Sequence, residues 1–596
     1  MIPLKNDFCY AILDDAGAAD ASMVRNAGFY LHDTRHLSVY DWNFPAMDLL
    51  HRAQNGNSVT QFWSRLENHA QTLLIRRVLR LEKHGLIDSL EIENSSDTEI
   101  ALPLDLKLDA DFVDVFQARG YRRIAPANPV TQTPQGFSYL AQDGVVSSTE
   151  VSIEGLDAGR LLTLAPRSRH RVTAKVKFTS TLSAAQVEAP DAVWSPKLRT
   201  DLSENERVVL GQAVADIDSL ILHTGQGRTI AAGIPNFVVP FGRDSIITAW
   251  LLLDVDPELS HSVLSYLASR QGSKEDGFHD EEPGKIMHEH RECELSRIGE
   301  LPFRTYYGSA DSTPLFLVLL GDYVARTGNA AFAREMEQHW RAALAWIEHY
   351  SDARGLINFR QRADGKGLTI QSWKDSQDSM SYGDGQLADG SLAVAEVQGY
   401  VFAAYRAAAE LSRLCGGPEA EQRTLLDKAE ALARAFDAAF WMPEHDNYAL
   451  GLDADGRQLD VNASDSGHLL WSGIVPEAKA QRLIARLFQP DLWSGYGLRT
   501  LSAKEKRYNP LSYHNGSVWP HDTALFAAGL KRYGAEEGFG RVREALTALA
   551  TASDDKRLPE LVGGYPREGD VPPLPYIESC RPQAWAAAAL IYVLNA

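Results

Sequence analysis

The spacing of apolar residues changes near residue 200, and this change constrains the fold more than any other feature. Before it, apolar and polar residues alternate in QTLLIRRVLRLEKH (71–84), LIDSLEIENSS (86–96) and RHRVTAKVKFTSTL (169–182). Alternation with period two predicts strands that bury one face. Short strands separated by turn residues predict an antiparallel β-sandwich, which we place at residues 1–195.

The rest of the chain carries apolar residues at helical spacing, as in TPLFLVLLGDYVARTG and QAWAAAALIYVLNA, and many of these segments end at Gly or Pro. At 596 residues the chain is too long for one hydrophobic core. We therefore expect an all-α catalytic domain at 196–596, joined through a Pro-containing linker at 188–201. A double ring of inner and outer helices or an irregular solenoid would each bury these apolar stripes.

Charge and cysteine content narrow the possible partners and the compartment. The formal net charge of −20 leaves no basic surplus to replace phosphate counterions, so we expect no nucleic acid partner. The four cysteines, Cys9, Cys293, Cys415 and Cys580, form no CxxC pair, which is typical of a reducing cytoplasm. No window reaches the roughly 18 apolar residues that span a bilayer. The sequence predicts a cytoplasmic protein with no membrane partner.

The helical part contains loops that mix carboxylates, aromatic rings and amide or guanidinium donors. Aromatic rings stack on the apolar face of a sugar, and the polar groups suit its hydroxyls. The sequence thus predicts a carbohydrate or glycoside as partner. The loops are PFGRDS (240–245), DEEPGKIMHEHR (280–291), YYGSADSTPLF (306–316), QSWKDSQDS (371–379), AEVQGY (395–400), SYHNGSVWPHD (512–522) and RLPEL (557–561).

Hydrolysis of a glycosidic bond needs one protonated carboxyl group and one ionised carboxylate. Asp375 follows Trp373 and precedes Asp378, so an apolar or a negative neighbour could raise its pKa. A helix-capping or solvated loop acid would give the same pattern. Glu560 lies between leucines after a proline, which fits either a catalytic base or an ion pair with Arg557.

Metal and cofactor motifs are missing from the sequence. The run His288-Glu289-His290 lacks HExxH spacing, and His514 and His521 lie seven residues apart, so hydrogen bonding to hydroxyls or carboxylates is the expected role. The chain has no Walker sequence, no GxGxxG between a strand and a helix, and no GxSxG. We expect neither a metal ion nor a cofactor.

Taken together and in order, these segments resemble the amylo-α-1,6-glucosidase family of bacterial and archaeal glycogen-debranching-type proteins. The resemblance covers most of the chain. It rests on ordered blocks, which are GFYLHDTRHLSVYDW (28–42), GIPNFVVPFGRDSIITAW (233–250), DEEPGKIMHE (280–289), YYGSADSTPLFLVLLGDY (306–323), SWKDSQDS, EVQGYVFAA, YNPLSYHNGSVWPHD (508–522), LPEL and CRPQAWAAAAL (580–590).

The resemblance implies an inverting glycosidase with a β-sandwich domain followed by an (α/α)6 toroid. The family's Trp-x-Asp motif supplies the general acid, here Asp375. Its Leu-Pro-Glu-Leu motif, before a Gln-Ala-Trp, supplies the general base, here Glu560. Matched positions expected to hold the sugar are Arg243, Asp244, Trp373, Lys374, Glu396, His514, Asn515, Trp519 and Trp585.

Two positions depart from the family pattern. Asn236 replaces an aromatic residue, and Gln377, two residues beyond the expected acid, replaces a tryptophan. Without that ring a stacked maltooligosaccharide leaving group is less favoured. An inverting hydrolase of a small glycoside, such as a plant aglycone or glycerate conjugate, therefore stays open. The sequence is also compatible with a phosphorylase and with a carbohydrate-binding protein that has no catalytic activity.

Overall fold

A computed structural model describes residues 1–67, 69–156, 161–182, 193–360, 367–569 and 571–596. The first five residues of the predicted linker, 188–192, lie outside these ranges. Backbone contacts divide the chain into two compact units. The first unit consists of Met1–Asp191, Asp218–Gly225 and Arg291–Arg304. The second unit consists of Ala192–Ile217, Gln226–His290 and Thr305–Ala596. The domain boundary predicted between residues 195 and 196 stays a prediction.

The first unit consists mainly of antiparallel strands. Its elements are β1 (Ile2–Asn6), β2 (Cys9–Leu13), β3 (Ala19–Asp20), β4 (Gly28–Leu31), β5 (Thr34–Leu37), β6 (Val39–Asn43), β7 (Asp48–Asn55), β8 (Ser58–Glu67), β9 (Ala70–Glu82), β10 (Gly85–Asn94), β11 (Ile100–Pro103), β12 (Asp105–Asp109), α1 (Val115–Ala118), β13 (Thr131–Thr133), β14 (Gly136–Leu140), β15 (Val146–Glu154), β16 (Leu161–Leu164), β17 (Arg169–Ser180), β18 (Ile221–Thr224) and α5 (Glu294–Arg297).

The large sheet has the strand order β13-β14-β15-β17-β10-β9-β8-β7, and smaller sheets follow the orders β1-β2-β4-β5 and β12-β6-β3. Strand β9 shows why the sequence folds this way, because Leu73, Ile75, Leu79 and Leu81 on alternate positions are buried while their neighbours are more exposed. These side chains join one apolar core with residues of the smaller sheets. The arrangement is sandwich-like.

The second unit is mainly helical. Its elements are α2 (Glu204–Leu220), β19 (Gly227–Ile230), α3 (Gly242–Leu251), α4 (Pro257–Ala268), β20 (Glu289–His290), β21 (Thr305–Tyr306), α6 (Ser312–Thr327), α7 (Ala330–Glu335), α8 (Glu337–Tyr350), β22 (Phe359–Arg360), β23 (Ser391–Val394), α9 (Ala395–Leu414), α10 (Glu419–Phe440), β24 (Trp441–Met442), β25 (Asn447–Tyr448), β26 (Gly451–Leu452), α11 (Asp465–Ser472), α12 (Glu477–Leu487), α13 (Pro520–Arg532), α14 (Glu536–Ala552) and α15 (Ala584–Asn595).

Six of these helices contact one another in a closed cycle. Helix α3 packs on α6, α6 on α9, α9 on α11, α11 on α13, α13 on α15, and α15 returns to α3. Other helices pack outside this cycle: α4 contacts α3 and α6, α8 contacts α6 and α9, α10 contacts α9, α12 contacts α11, and α14 contacts α13 and α15.

Burial separates the helices of the cycle from the others. In α3 every residue except Trp250 is buried, whereas α10 buries only a stripe of apolar residues. Helix ends follow local signals: Asp256 accepts a hydrogen bond from the backbone of Leu259 at the start of α4, and Gly328 ends α6 with a φ of 70°. Helical spacing of apolar residues in the sequence therefore predicts both helices that are buried on one face and helices that are buried on all sides.

The structure confirms an N-terminal antiparallel sheet domain followed by a helical domain. Two expected loops are instead helix starts, because residues 242–245 open α3 and residues 395–400 open α9. None of the described helices is both long and apolar enough to cross a lipid bilayer.

Candidate active site

The N-terminal ends of the six cycle helices supply part of the candidate site. Each helix contributes at or near its first turn, and these partial positive helix ends favour the carboxylates placed there. The contributing residues are Arg243 and Asp244 of α3, Asp311 before α6, Glu396 of α9, Asp465 and His468 of α11, Trp519, His521 and Asp522 of α13, and Trp585 of α15.

Asp375 lies in the loop between β22 and β23 and faces Arg243. The Nη2 group of Arg243 donates to Oδ2 of Asp375 over 3.2 Å, and its Nη1 group donates to Oδ2 of Asp311 over 2.7 Å. Burial raises the pKa of Asp375 to about 6, against the opposing effect of the Arg243 charge. The Asp375 side chain remains 28% exposed, so it is reachable from solvent.

Glu560 is 1% exposed and is held on both oxygens. The Tyr513 hydroxyl donates to Oε1 over 2.6 Å, and the backbone N–H of Cys580 donates to Oε2 over 2.8 Å. Burial raises the pKa of Glu560 to about 7, although both hydrogen bonds favour the ionised form. Arg557 donates to Asp216 rather than to Glu560, so the alternative of an Arg557–Glu560 ion pair is wrong.

Asp244 lies within the electrostatic reach of both Asp375 and Glu560. Burial raises the pKa of Asp244 to about 7; the charge of Arg243 opposes this, and the charges of Asp375 and Glu560 add to it. Among the described residues no hydrogen bond joins Asp375 to Glu560, yet the charge of Asp375 raises the pKa of Glu560. The three carboxyl groups therefore share a buried region that can retain protons near neutral pH.

Three tryptophans and three histidines pack into one aromatic cluster. Trp373 stacks on His468 with centroids 5.6 Å apart, and His514 stacks on Trp519 at 5.2 Å. A third stack places His521 on Trp585 at 3.7 Å with the rings 8° from parallel. Burial lowers the pKa of His514 and of His521 well below the usual value, so these imidazoles are neutral. Each indole thus has a histidine against one face.

Lys374 and Glu396 are both buried, at 1% and 0% exposure. Lys374 donates to Asp465 through Nζ and to the carbonyl oxygen of Thr500 over 2.7 Å. Asp465 also accepts from Nε1 of Trp373 over 3.0 Å, so it holds the two residues that precede Asp375. These contacts favour a supporting role for Lys374, while its predicted contact with sugar stays a prediction, as does that of Glu396.

His514 and Asn515 hold the segment that follows Asp375. The hydroxyl and backbone N–H groups of Ser376 lie 2.8 and 3.3 Å from Nδ1 of His514, which therefore accepts. Asn515 donates from Nδ2 to the carbonyl oxygen and to Oδ2 of Asp378, over 3.0 and 2.9 Å. Both predicted polar residues are thus brought to the site, next to the loop that carries Asp375.

Sequence reasoning missed several residues of this site. Asp311 and Tyr513 lie inside segments that the sequence singled out, and their residue types gave no reason to prefer them over their neighbours. Asp465 and His468 open α11, a helix that the periodicity did not identify. No group of three or more His, Cys, Asp or Glu residues that could hold a metal ion occurs in the described part of the chain.

Residues 243–569 match a family model described as "Mannosylglycerate hydrolase MGH1-like glycoside hydrolase domain", which covers more than half of the chain. The chain belongs to this family. Residues 4–185 match a second model, described as the N-terminal domain of some glycogen debranching enzymes. The predicted glycosidase resemblance is confirmed at this level, and the helical part matches the mannosylglycerate hydrolase-like family specifically.

A mannosylglycerate hydrolase of Rubrobacter radiotolerans is 30% identical over 151 residues, which are 24% of this chain. The match spans 33% of that relative's length.

Among solved structures, a GH63 mannosylglycerate hydrolase of Thermus thermophilus in complex with glucose is 16% identical, with a TM-score of 0.48. The match covers 64% of this chain and 99% of that one. A GH78 rhamnosidase of Bacillus sp. GL1 is 13% identical, with a TM-score of 0.50 over 87% of this chain and 47% of that one. The likeness to the rhamnosidase concerns the fold alone.

Proposed function

We propose that this chain hydrolyses the glycosidic bond of a small glycoside by single displacement with inversion. In this mechanism Asp375 protonates the leaving oxygen while Glu560 removes a proton from a water molecule on the opposite face of the sugar. The observation that carries the proposal is that two carboxyl groups are each held at the site by separate partners, Asp375 by Arg243 and Glu560 by the Tyr513 hydroxyl and the Cys580 backbone N–H. Within the described residues no hydrogen bond joins these two carboxyl groups to each other. The mechanism requires room for a water molecule, about 6.5–9.5 Å between the two carboxyl groups.

The surroundings of the two carboxyl groups support this assignment of roles. Asp375 is the more exposed of the pair, so a leaving group next to it has a path to solvent. Glu560 accepts hydrogen bonds on both oxygens, and such bonds favour the carboxylate that a base requires, although burial outweighs them and raises its pKa to about 7, above the pKa of about 6 of Asp375. The reactive form is therefore the less populated one, in which Asp375 carries the proton and Glu560 is ionised. Arg243 and Asp244 would then border the sugar, whereas stacking on the three tryptophans, which are 2–4% exposed and each covered on one face by a histidine, stays a prediction.

For the substrate we propose a glycerate conjugate of a sugar. The family model and the Rubrobacter radiotolerans relative both favour this class over a debranching substrate. A glycerate leaving group carries a carboxylate, and Arg507 lies near the loop of the acid, with Nη2 3.6 Å from Oδ2 of Asp378. Its buried Nε group has no hydrogen-bond partner within the described residues. Gln377, in place of a stacking tryptophan, suits a small leaving group.

The second candidate is an amylo-α-1,6-glucosidase. It is favoured by the match of residues 4–185 to an N-terminal domain of glycogen debranching enzymes.

We further propose that the helical unit is an (α/α)6 toroid. The closed cycle of contacts from α3 through α15 and back to α3 supports this arrangement, as do the helices packed outside it. The site would then lie at one end of the ring, where the helix N-termini meet.

The proposed function is tested with purified protein on mannosylglycerate, glucosylglycerate, isomaltose and branched limit dextrin. We expect turnover of the glycerate conjugates, with a first-formed sugar whose anomeric configuration, read by proton NMR, is opposite to that of the substrate. Retained configuration would exclude single displacement. Preference for isomaltose or limit dextrin would favour the second candidate. Turnover that depends on phosphate would indicate a phosphorylase. Binding seen by calorimetry without turnover would indicate a carbohydrate-binding protein.

A further inference from the structure

Asp311 is a fully buried carboxylate directed at Arg243 rather than at its own helix. It occupies the N-cap position of α6 but makes no capping hydrogen bond through its side chain. Its Oδ2 atom accepts from Nη1 of Arg243 over 2.7 Å, and its Oδ1 atom accepts from the hydroxyl of Ser309. The side chain has no exposed surface, so contact with a substrate is excluded.

The contact between Arg243 and Asp375 presents a chemical difficulty for a proton donor. A guanidinium beside a carboxyl group favours its ionised form, whereas a general acid must begin the reaction protonated. Arg243 is 4% exposed, so water screens its charge weakly. A second negative charge on the same guanidinium would oppose this effect, and Asp311 binds the other Nη nitrogen of Arg243.

We propose that Asp311 is a positioning residue that offsets the charge of Arg243, so that Asp375 keeps its proton until the leaving oxygen takes it. This inference rests on the proposed function, in which Asp375 is the general acid. The proton moves from Oδ of Asp375 to the glycosidic oxygen as the bond to the anomeric carbon breaks, and Glu560 takes a proton from the attacking water. Asp311 itself exchanges no proton in this step.

Other charged groups around Asp375 are consistent with this role. His514 is neutral, and the ammonium group of Lys374 is bound to Asp465. Arg243 is thus the cation in direct contact with Asp375, and the charge of Asp311 raises the pKa of Asp375 while that of Arg243 lowers it. The charged and titratable groups that face Asp375 are Arg243, Asp244, Glu289, Asp311, Tyr513 and Glu560.

The test is the pH dependence of kcat/KM for Asp311→Asn. This substitution removes one charge with little change of shape, so Asp375 should lose its proton more easily. We expect the basic limb of the profile to move about one pH unit lower, which gives about a tenfold loss of rate on the alkaline side. The acidic limb should stay in place. Asp311→Glu keeps the charge and should restore the basic limb.

Two further variants make the test specific. Arg243→Gln removes the cation and should move the basic limb to higher pH, opposite to Asp311→Asn. Asp491→Asn is the matched control, because Asp491 is also buried and also accepts from one arginine, Arg486, and one serine, Ser502. No hydrogen bond connects Asp491 to Asp375 within the described residues, so the control should leave both limbs unchanged.

An unmoved basic limb in Asp311→Asn, with a rate lowered equally at every pH, would overturn the inference and leave Asp311 a purely structural role. If Asp311→Asn does not fold, the pH profile of Arg243→Gln takes its place as the test. An unmoved basic limb in Arg243→Gln would mean that the charge of Arg243 does not act on Asp375, and this too would overturn the inference. The proposed function fails separately, when Asp375→Asn retains the turnover of the unmodified protein. Loss of turnover in Asp375→Asn together with an unmoved limb in Asp311→Asn overturns only the role of Asp311.

Discussion

Each unit of the molecule contains a buried contact between an arginine and an aspartate. In one contact a single carboxylate accepts from several donors, and in the other a single guanidinium is shared by two carboxyl groups. In the β unit, Asp88 accepts from Nε of Arg77, from the hydroxyl of Tyr40 and from Nε1 of Trp42, each over 3.0 Å to Oδ2. In the helical unit, Arg243 divides its donors between two carboxyl groups, and one of these, on Asp375, is reachable from solvent.

The difference separates a structural ion pair from a reactive one. A buried carboxylate with several hydrogen-bond donors is stabilised in its ionised state. Such a group helps to hold the core together and is not free to transfer a proton. In the described part of the chain, the helical unit leaves both oxygens of Glu396, both ring nitrogens of His521 and Oδ2 of Asp522 without hydrogen-bond partners; buried atoms of this kind also occur in the β unit, for example Oδ1 of Asp33. Unpaired buried groups lower stability, and those of Glu396, His521 and Asp522, which lie in the first turns of two cycle helices, are available to bind a ligand.

The largest effect should follow substitution of the proposed catalytic pair. Asp375→Asn and Glu560→Gln should each lower kcat by about 10²–10⁴-fold, because each removes a proton transfer from the transition state. Steady-state rates on a glycerate conjugate measure this, and circular dichroism checks that the fold is retained. Near-normal turnover in either variant would remove that residue from its role and weaken the contrast between the two units.

Substitution of the structural pair should act on stability instead. Asp88→Asn leaves a buried arginine without its counter-charge, which we expect to lower the free energy of unfolding by about 3–5 kcal/mol. Chemical denaturation followed by tryptophan fluorescence measures the change. The double variant Arg77→Met with Asp88→Leu serves as control and should recover only part of the loss, because Tyr40 and Trp42 lose their common acceptor. A fall in kcat with unchanged stability would contradict the structural role.

Tyr513→Phe should lower kcat/KM about tenfold at the acidic end of its pH profile. The lost hydroxyl lowers the pKa of Glu560, so its removal raises that pKa further above about 7. Because the base must be ionised, the acidic limb of kcat/KM should move about one pH unit higher. The basic limb, set by Asp375, should change less. A profile displaced equally at both ends would show that Tyr513 does not act on Glu560 specifically.

The smallest effect should come from an exposed ion pair on the large sheet. Arg76 and Glu91 lie 3.3 Å apart on strands β9 and β10, with about half of each side chain exposed. Arg76→Gln should change the free energy of unfolding by less than about 0.5 kcal/mol, since solvent screens such pairs. Chemical denaturation of Arg76→Gln and of Asp88→Asn under the same conditions compares the two changes in the free energy of unfolding within one sheet. A loss comparable to that of Asp88→Asn would mean that burial does not explain the difference.

Most of the fold was predictable, because alternation and helical spacing report directly which face of an element is buried. Strand β9 and helix α15 are found where their patterns placed them. The sequence predicts loops at 240–245 and 395–400, where α3 and α9 begin, since polar residues such as Arg243 and Glu396 at a buried helix end resemble a surface loop in sequence. Helix α11 was missed because its short polar-rich sequence carries no clear apolar stripe.

For the candidate site, motifs identified Asp375 and Glu560, and local sequence could not choose between catalysis and structural pairing. Contacts decided against one alternative, since Arg557 binds Asp216 and leaves Glu560 to Tyr513 and Cys580. Asp311 could not be found from sequence, because nothing near it in the chain indicates that it meets Arg243.

The sequence by itself determined the order of a strand-rich part and a helical part, and it supplied the residue types of a glycoside-hydrolysing site. These follow from periodicity and side-chain chemistry, which are local properties. Only the tertiary structure decided which charges meet: that Asp311 and Asp375 share one guanidinium, and that Glu560 accepts from Tyr513. Such encounters depend on helix packing between residues remote in the chain, and the free energy of a buried charge depends on those neighbours.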